Sequence, residues 1–181
     1  MLFRSPSKSR NPAVTRDIRI RPAIAADAET LARILANAWR ETYGGILPEE
    51  LVAKRADPDQ QLTWWREQLA DPATASGTWL GELDGEPAGL ALARATPEDA
   101  PRPLELKLCY TFAASHGSGL SHALIEAAIG DRPAWLWMLH GNDRAEAFYR
   151  KHGFHREEPW DTREWGEAFG ATRYTDIRLV R

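Results

Sequence analysis

A chain of 181 residues can bury one sizeable core but is short for two domains, and its composition, 43% hydrophobic and 27% charged, is that of a globular protein. No apolar run nears the roughly 20 residues needed to cross a bilayer, which excludes a transmembrane segment and a membrane partner. The net charge is −3, but Arg4, Lys8, Arg10 and Arg16 stand in the first 16 residues without an acid, so residues 17–181 carry −7; such a body lacks the basic face that a nucleic acid requires.

Residues 1–16 have no apolar h-region, so they read as a basic disordered tail rather than a secretory signal, ahead of a single domain over 17–181. "DIRIRP" alternates apolar and polar residues and predicts a short strand stopped by Pro22. Asp27 is placed to cap a helix carrying Leu31, Ile34, Leu35, Ala38 and Trp39 on one face. Gly44 and Gly45 break it, and Pro48 suits the first turn of a second helical region that runs on through "DQQLTWWREQLA". "GTWLGELDGEPAGLALAR" predicts a hairpin, with Asp84–Gly85 at the turn. After a proline-rich loop, "LELKLCYTF" predicts a strand, and Leu120, Ala123, Leu124, Ala127 and Ala128 share a helical face. "AWLWML" predicts a buried strand and "NDRAEAFYRKHG" a helix closed by Gly153. Two last strands are expected near "FHREE" and "RYTDIRLV", with an acidic, aromatic loop between them around Trp160 and Trp165.

This order predicts a mixed α/β sheet with helices packed on it, and such sheets bind ligands beyond the carboxyl ends of their strands. "SHGSGLSHALIEAAIG" lies at such an end. The first amide groups of a helix lack partners, and glycines let an anion approach them closely. Gly117, Ser118, Gly119, Leu120 and Ser121 would supply those amides. The turn is neither a Walker loop nor a dinucleotide fingerprint, because no Gly-Lys-Ser/Thr follows and His122 stands where a third glycine belongs. From these residues alone, a plain loop-to-helix turn and an anion cradle both remain open.

A second motif decides between them. "NDRAEAFYRKHGF" has Asn142, Arg144, Ala145, Phe148, Tyr149, Gly153 and Phe154 at fixed spacing after a buried strand. Together with the preceding strand and glycine turn, it resembles the GNAT N-acetyltransferase superfamily of bacterial type, over residues 17–181. The resemblance implies a mostly antiparallel central sheet of about seven strands with about four helices. It also implies acetyl-CoA as co-substrate, an amine acceptor (a small molecule or a peptide), direct transfer in a ternary complex, and often a homodimer. The pyrophosphate would lie on the amides of residues 117–121 and the pantetheine along Cys109, Tyr110, Thr111 and Phe112, with Asn142, Arg144 and Phe148 beside them. The turn departs from the family's pattern: His116 takes its Gln/Arg position, Ser118 a frequently basic one, and Ser121 its second Gly/Ala.

Acetyl transfer to an amine needs the ammonium deprotonated, the thioester carbonyl polarised and the leaving thiolate protonated. By its place in the motif, Tyr149 is expected to protonate the thiolate. Glu105, on the strand leading to the turn, is expected to serve as base, directly or through water, with Lys107 beside it on the same strand face. Trp39 and Tyr43 would border the acceptor. Residues 157–167 hold five acids and one arginine, which suits a cationic amine. The histidines His116, His122, His140, His152 and His155 lack ligand spacing, so no metal is expected. The lone Cys109 cannot form an internal disulfide, which fits a reducing cytoplasm. The altered turn also leaves room for a non-catalytic acyl-CoA-binding module on the same fold.

Overall fold

The computed structural model describes residues 16–157, 162–165 and 173–181. Their strands form one mixed sheet of seven, in the order β1-β2-β3-β4-β5-β7-β6. The first half is an antiparallel meander. β1 (Ile18–Pro22) pairs with β2 (Thr78–Leu83), β2 with β3 (Glu86–Ala95), and β3 with β4 (Leu104–Thr111). The β2–β3 hairpin turns at Asp84 and Gly85, both at positive φ (53° and 85°), the geometry that matches strand twist and favours Asp-Gly. β5 (Ala134–Leu139) then runs parallel to β4, and β7 (Tyr174–Val180) lies antiparallel between β5 and β6 (Thr162–Trp165).

Between β1 and β2 the chain forms four helices: α1 (Ala28–Tyr43), α2 (Glu49–Arg55), α3 (Pro58–Ala70) and α4 (Pro72–Ser76). Asp57 and Asp71 accept hydrogen bonds from the first amides of α3 and α4, each followed by proline, which lacks the amide that would go unpaired there. Leu31, Ile34 and Leu35 of α1 and Trp65 of α3 bury against Leu80 and Leu90 on one face of the sheet. On the other face lies α5 (Leu120–Ala128), whose Leu120, Leu124 and Ile125 are wholly buried and contribute about 1.5–3 kcal/mol each. Close approach there depends on Gly89, where an added Cβ would come within 2.9 Å of Leu124 and 2.7 Å of Thr111. α6 (Asp143–Lys151) completes this layer. It closes on a Schellman motif, with Gly153 at φ 82° and the Phe154 amide bonded to the Tyr149 carbonyl.

The expected mixed sheet of seven strands is present, with six helices among the described residues rather than about four. Prolines and capping aspartates split the second helical region into three. Asp27 does not cap α1 with its side chain. It closes a single 3-10 turn, where its carboxylate accepts from the Ile24 amide and from both Arg21 terminal nitrogens at 2.7 and 2.8 Å. The strand expected near "FHREE" is one bridge, His155 with Val180, and the pairing with β7 is made by Thr162–Trp165, read from sequence as loop. Trp160 and the tail through residue 15 lie outside the described residues. No helix of the described residues is long and apolar enough to cross a membrane.

Candidate active site

β4 and β5 begin side by side and then part. They pair only at Leu104 with Ala134 and Glu105 with Trp135. Beyond Glu105, the edge of β4 that would face β5 has no strand partner among the described residues, so its amides and carbonyls face a wedge. The β3–β4 register also slips: Leu92 opposes Leu108 while Ala93 opposes Leu106, which leaves Lys107 as the extra residue of a bulge. A bulge re-aims the side chains that follow it and frees backbone groups.

Two clefts open from this wedge. The first, of 330 Å³, is walled by Leu106 to Thr111 of β4, by Trp137 and Met138 of β5, and by Asn142, Arg144, Ala145, Phe148 and Tyr149 at α6. The second, of 680 Å³, lies toward α1–α3 and includes Trp39, Gln60 and Trp64. Tyr43, Lys107, Leu108, Tyr110, Trp137 and Met138 belong to both. The parting of the strands thus joins two compartments at one point.

The glycine turn lies at the mouth of the first cleft. Gly117 and Gly119 have φ of 80° and 96°, a conformation that costs a side chain about 1–2 kcal/mol. Among the described residues, no acceptor meets the amides of Gly117, Gly119, Ser121 or His122. The Ser118 hydroxyl bonds the Ser115 carbonyl at 2.7 Å and accepts from the Leu120 amide at 3.2 Å, so Leu120 is held rather than open. Ser121 is tied to Thr111 by a 3.0 Å hydroxyl contact that fixes the start of α5 against the end of β4. His116 and Arg144 approach this mouth from opposite sides. Partial burial, then the Arg144 charge, lower the His116 pKa against a smaller opposing pull from Glu41. The Asn142 carboxamide caps α6 by accepting from the Ala145 amide at 3.1 Å.

Where the compartments meet, phenolic groups gather. The Tyr43 and Tyr110 hydroxyls are 3.1 Å apart. Burial raises the pKa of Tyr43 and pushes Tyr110 and Tyr149 well above the usual phenol value, with nearby Tyr43, Cys109 and Asp176 adding to it. Burial likewise pushes the Cys109 thiol up to about 12, so it is a protonated wall residue and not a thiolate nucleophile. The Tyr149 ring packs against Phe148 and Phe154, centroids 5.4 and 5.7 Å away, and its hydroxyl has no hydrogen-bond partner among the described residues.

Of the residues expected at the cofactor, Cys109, Tyr110, Thr111, His116, Ser121, Asn142, Arg144, Phe148 and Tyr149 all border the first cleft. Phe112 does not: it packs into the core, with Arg33 over its ring at 5.8 Å. Gly117, Ser118 and Gly119 lie in the turn beside the cleft rather than in its lining, and Leu120 is wholly buried. Trp39 and Tyr43, expected at the acceptor, border the second cleft. Glu105 is the clear departure. It lines neither cleft, is 4% exposed, and its carboxylate is held by Arg94 at 2.7 Å and Lys107 at 3.7 Å. It sits where β4 and β5 still pair, before the wedge opens, so its side chain does not itself line either cleft. Sequence reasoning did not find Trp64, Trp137, Arg163 and Asp176 of the second cleft. They come from four elements that only folding brings together, and strand alternation was the one signal, placing Trp137 and Asp176 on one sheet face. Among the described residues, no group of three or more histidines, cysteines or carboxylates could hold a metal ion.

With this geometry the chain matches the model of the acetyltransferase (GNAT) family over residues 32–154. The protein is a member of the GNAT acetyltransferase family. A probable N-acetyltransferase of Mycobacterium tuberculosis is 28% identical over 145 residues, 77% of this chain and 80% of that protein. An uncharacterized N-acetyltransferase of Mycobacterium bovis is 28% identical over 134 residues, covering 71% and 83%. Among solved structures, the PaiA N-acetyltransferase of Thermoplasma acidophilum, in complex with coenzyme A, superimposes with a TM-score of 0.61 at 17% identity, covering 89% of this chain and 98% of that one. The PH1933 protein of Pyrococcus horikoshii gives 0.64 at 15% identity, covering 91% and 98%. At these identities the structural likeness speaks for the fold, and the GNAT frame is shared throughout.

Proposed function

We propose that this GNAT protein transfers an acetyl group from acetyl-CoA to a primary amine, directly, with both substrates bound at once. The observation that carries the reading is the parting of β4 and β5, which joins two compartments at a single point. A thioester entering from the first and an amine from the second would meet there without a covalent enzyme intermediate. The first cleft and the turn beside it fit coenzyme A: Ser121 of the lining and its neighbours Gly117, Gly119 and His122 have amides without acceptors that suit a pyrophosphate, and Arg144 supplies the charge that Ser118 lacks. His116 adds a hydrogen-bond donor at the same mouth.

In the proposed step the amine nitrogen bonds to the acetyl carbon as the C–S bond breaks. The open edge of β4 offers amides to the carbonyl oxygen as it gains charge. Tyr149, held protonated by burial, gives its proton to the leaving sulfur. The incoming ammonium, with a pKa of about 10, must lose a proton first. Asp176 is the one carboxylate of the second cleft among the described residues; Arg163 shares it at 2.7 Å, as Arg94 shares Glu105, but Asp176 borders the cleft, and it is proposed in place of Glu105 to take the proton of the ammonium through water. Cytoplasmic residence, expected from the lone thiol, belongs to the same proposal.

The test is to mix acetyl-CoA with a panel of primary amines and follow free thiol together with the acetylated product. Product formation at one amine supports the reading. Coenzyme A binding with no thiol release across the panel would instead favour an acyl-CoA-binding module.

A further inference from the structure

The charge on the described side chains of the second cleft runs against that of the chain. Residues 17–181 carry −7, yet among the described residues bordering this cleft Arg55 and Lys107 stand beside an Arg163–Asp176 ion pair, while Lys54 is itself engaged. Asp176 is already engaged by Arg163 at 2.7 Å, and Arg163 also lies 4.8 Å over the Trp137 ring, so this pair is close to neutral. Lys107 faces Glu105 at 3.7 Å, but Arg94 holds the same carboxylate more closely, at 2.7 Å. Two cations share one anion, and the unbalanced charge reaches the cleft at Lys107. The Arg55 guanidinium, at the exposed end of α2, has no carboxylate partner among the described residues. The walls between these charges are apolar and aromatic: Trp39, Trp64 and Leu108.

A simple cationic amine meets like charge at Arg55 and Lys107 and finds only Asp176, which Arg163 already shares, to attract it. We propose that the acceptor is an amine that also bears a carboxylate on an aromatic or apolar body, with Arg55 and Lys107 holding the carboxylate. The inference rests on the acetyl-transfer reading for the role of the amine. The anion site itself stands on Arg55 and Lys107 bordering one cleft with tryptophan walls. It replaces the expectation of a cationic acceptor drawn from the acidic stretch 157–167, much of which lies outside the described residues.

The experiment has two readouts on the full chain. In the first, acetylation is measured for phenylalanine against phenylalaninamide, and for aminomethylbenzoate against aminomethylbenzamide, which vary the distance between amine and carboxylate. The acid of at least one pair should be acetylated with a kcat/KM about tenfold above its amide, the scale of one charge-assisted contact. Arg55→Gln should erase that ratio by raising KM for the acid alone, with acetyl-CoA affinity and Tm unchanged. Lys107→Gln should narrow it in the same direction. In the second readout, phenylpropionate, which has no amine, is titrated against tryptophan fluorescence and compared with phenylpropionamide. The acid should bind about tenfold more tightly, and Arg55→Gln should remove the difference. If the amides match or exceed the acids in both readouts, or if Arg55→Gln leaves the preference intact, the proposal is overturned. Acid-selective binding without acetylation of any amine would retain the anion site and sink the acetyl-transfer reading alone.

Discussion

Replacing Tyr149 by phenylalanine isolates one proton. The ring packs against Phe148 and Phe154, and both contacts survive in the variant. The lost hydroxyl leaves no orphan behind, because it has no hydrogen-bond partner among the described residues. Stability should therefore change by less than about 0.5 kcal/mol, as for substitutions that make no cavity and strand no polar group. The rate should change far more. A thiol of pKa about 8.5 leaves poorly as a thiolate from a desolvated site, and a positioned acid is worth about 10²-fold or more. That corresponds to about 2.7 kcal/mol of barrier. The wild-type alkaline limb, if set by this phenol, should lie above pH 10, because burial raises the pKa and the acid form persists to higher pH. The assay is thiol release at saturating acetyl-CoA and amine, with acetyl-CoA affinity measured by calorimetry and Tm by calorimetric scan. A turnover within threefold of wild type, or a loss of acetyl-CoA affinity that accounts for the whole defect, would refute the general-acid role.

Gly119→Ala should weaken acetyl-CoA binding and lower stability by about 1–2 kcal/mol, since residue 119 sits at φ 96° at the head of α5; calorimetry and Tm read both effects. Glu105→Gln should leave the acidic limb of the pH–rate profile in place, because the carboxylate lines neither cleft, while costing about 1 kcal/mol of stability as Arg94 and Lys107 lose their shared anion. Asp176→Asn should lower kcat/KM for the amine and move that acidic limb; an unaltered limb would remove Asp176 as proton acceptor. The Arg21 hydrogen bonds, opposed in part by burial, lower the pKa of Asp27, so its folded value lies below its unfolded one. Its stabilisation is therefore present above about pH 4 and lost as pH falls through the folded value. The Tm advantage of wild type over Asp27→Asn should be constant between pH 5 and 7 and should shrink below 4.

Local physics explains which parts of the site were legible. Asp84–Gly85, the capped starts of α3 and α4, and the stop at Gly153 depend on backbone conformations a few residues long, so their residue types announce them. The turn from His116 to Ser121 was legible for the same reason, and so was the helix that carries Tyr149. Glu105 was misplaced because strand alternation gives a face but not the point at which a neighbouring strand leaves. The strand Thr162–Trp165 was missed because its partner, β7, alone makes it a strand.

The sequence by itself determined most of the elements and their order, and the family, since these rest on short-range spacing and on a motif read along one helix. Only the tertiary structure decided where β4 and β5 part and which charged side chains line the second cleft. Those depend on side chains from α1, α2, β4 and β7 that are far apart in the chain. Their proximity is set by how the sheet twists open and how the helices pack over it, and no local periodicity records that.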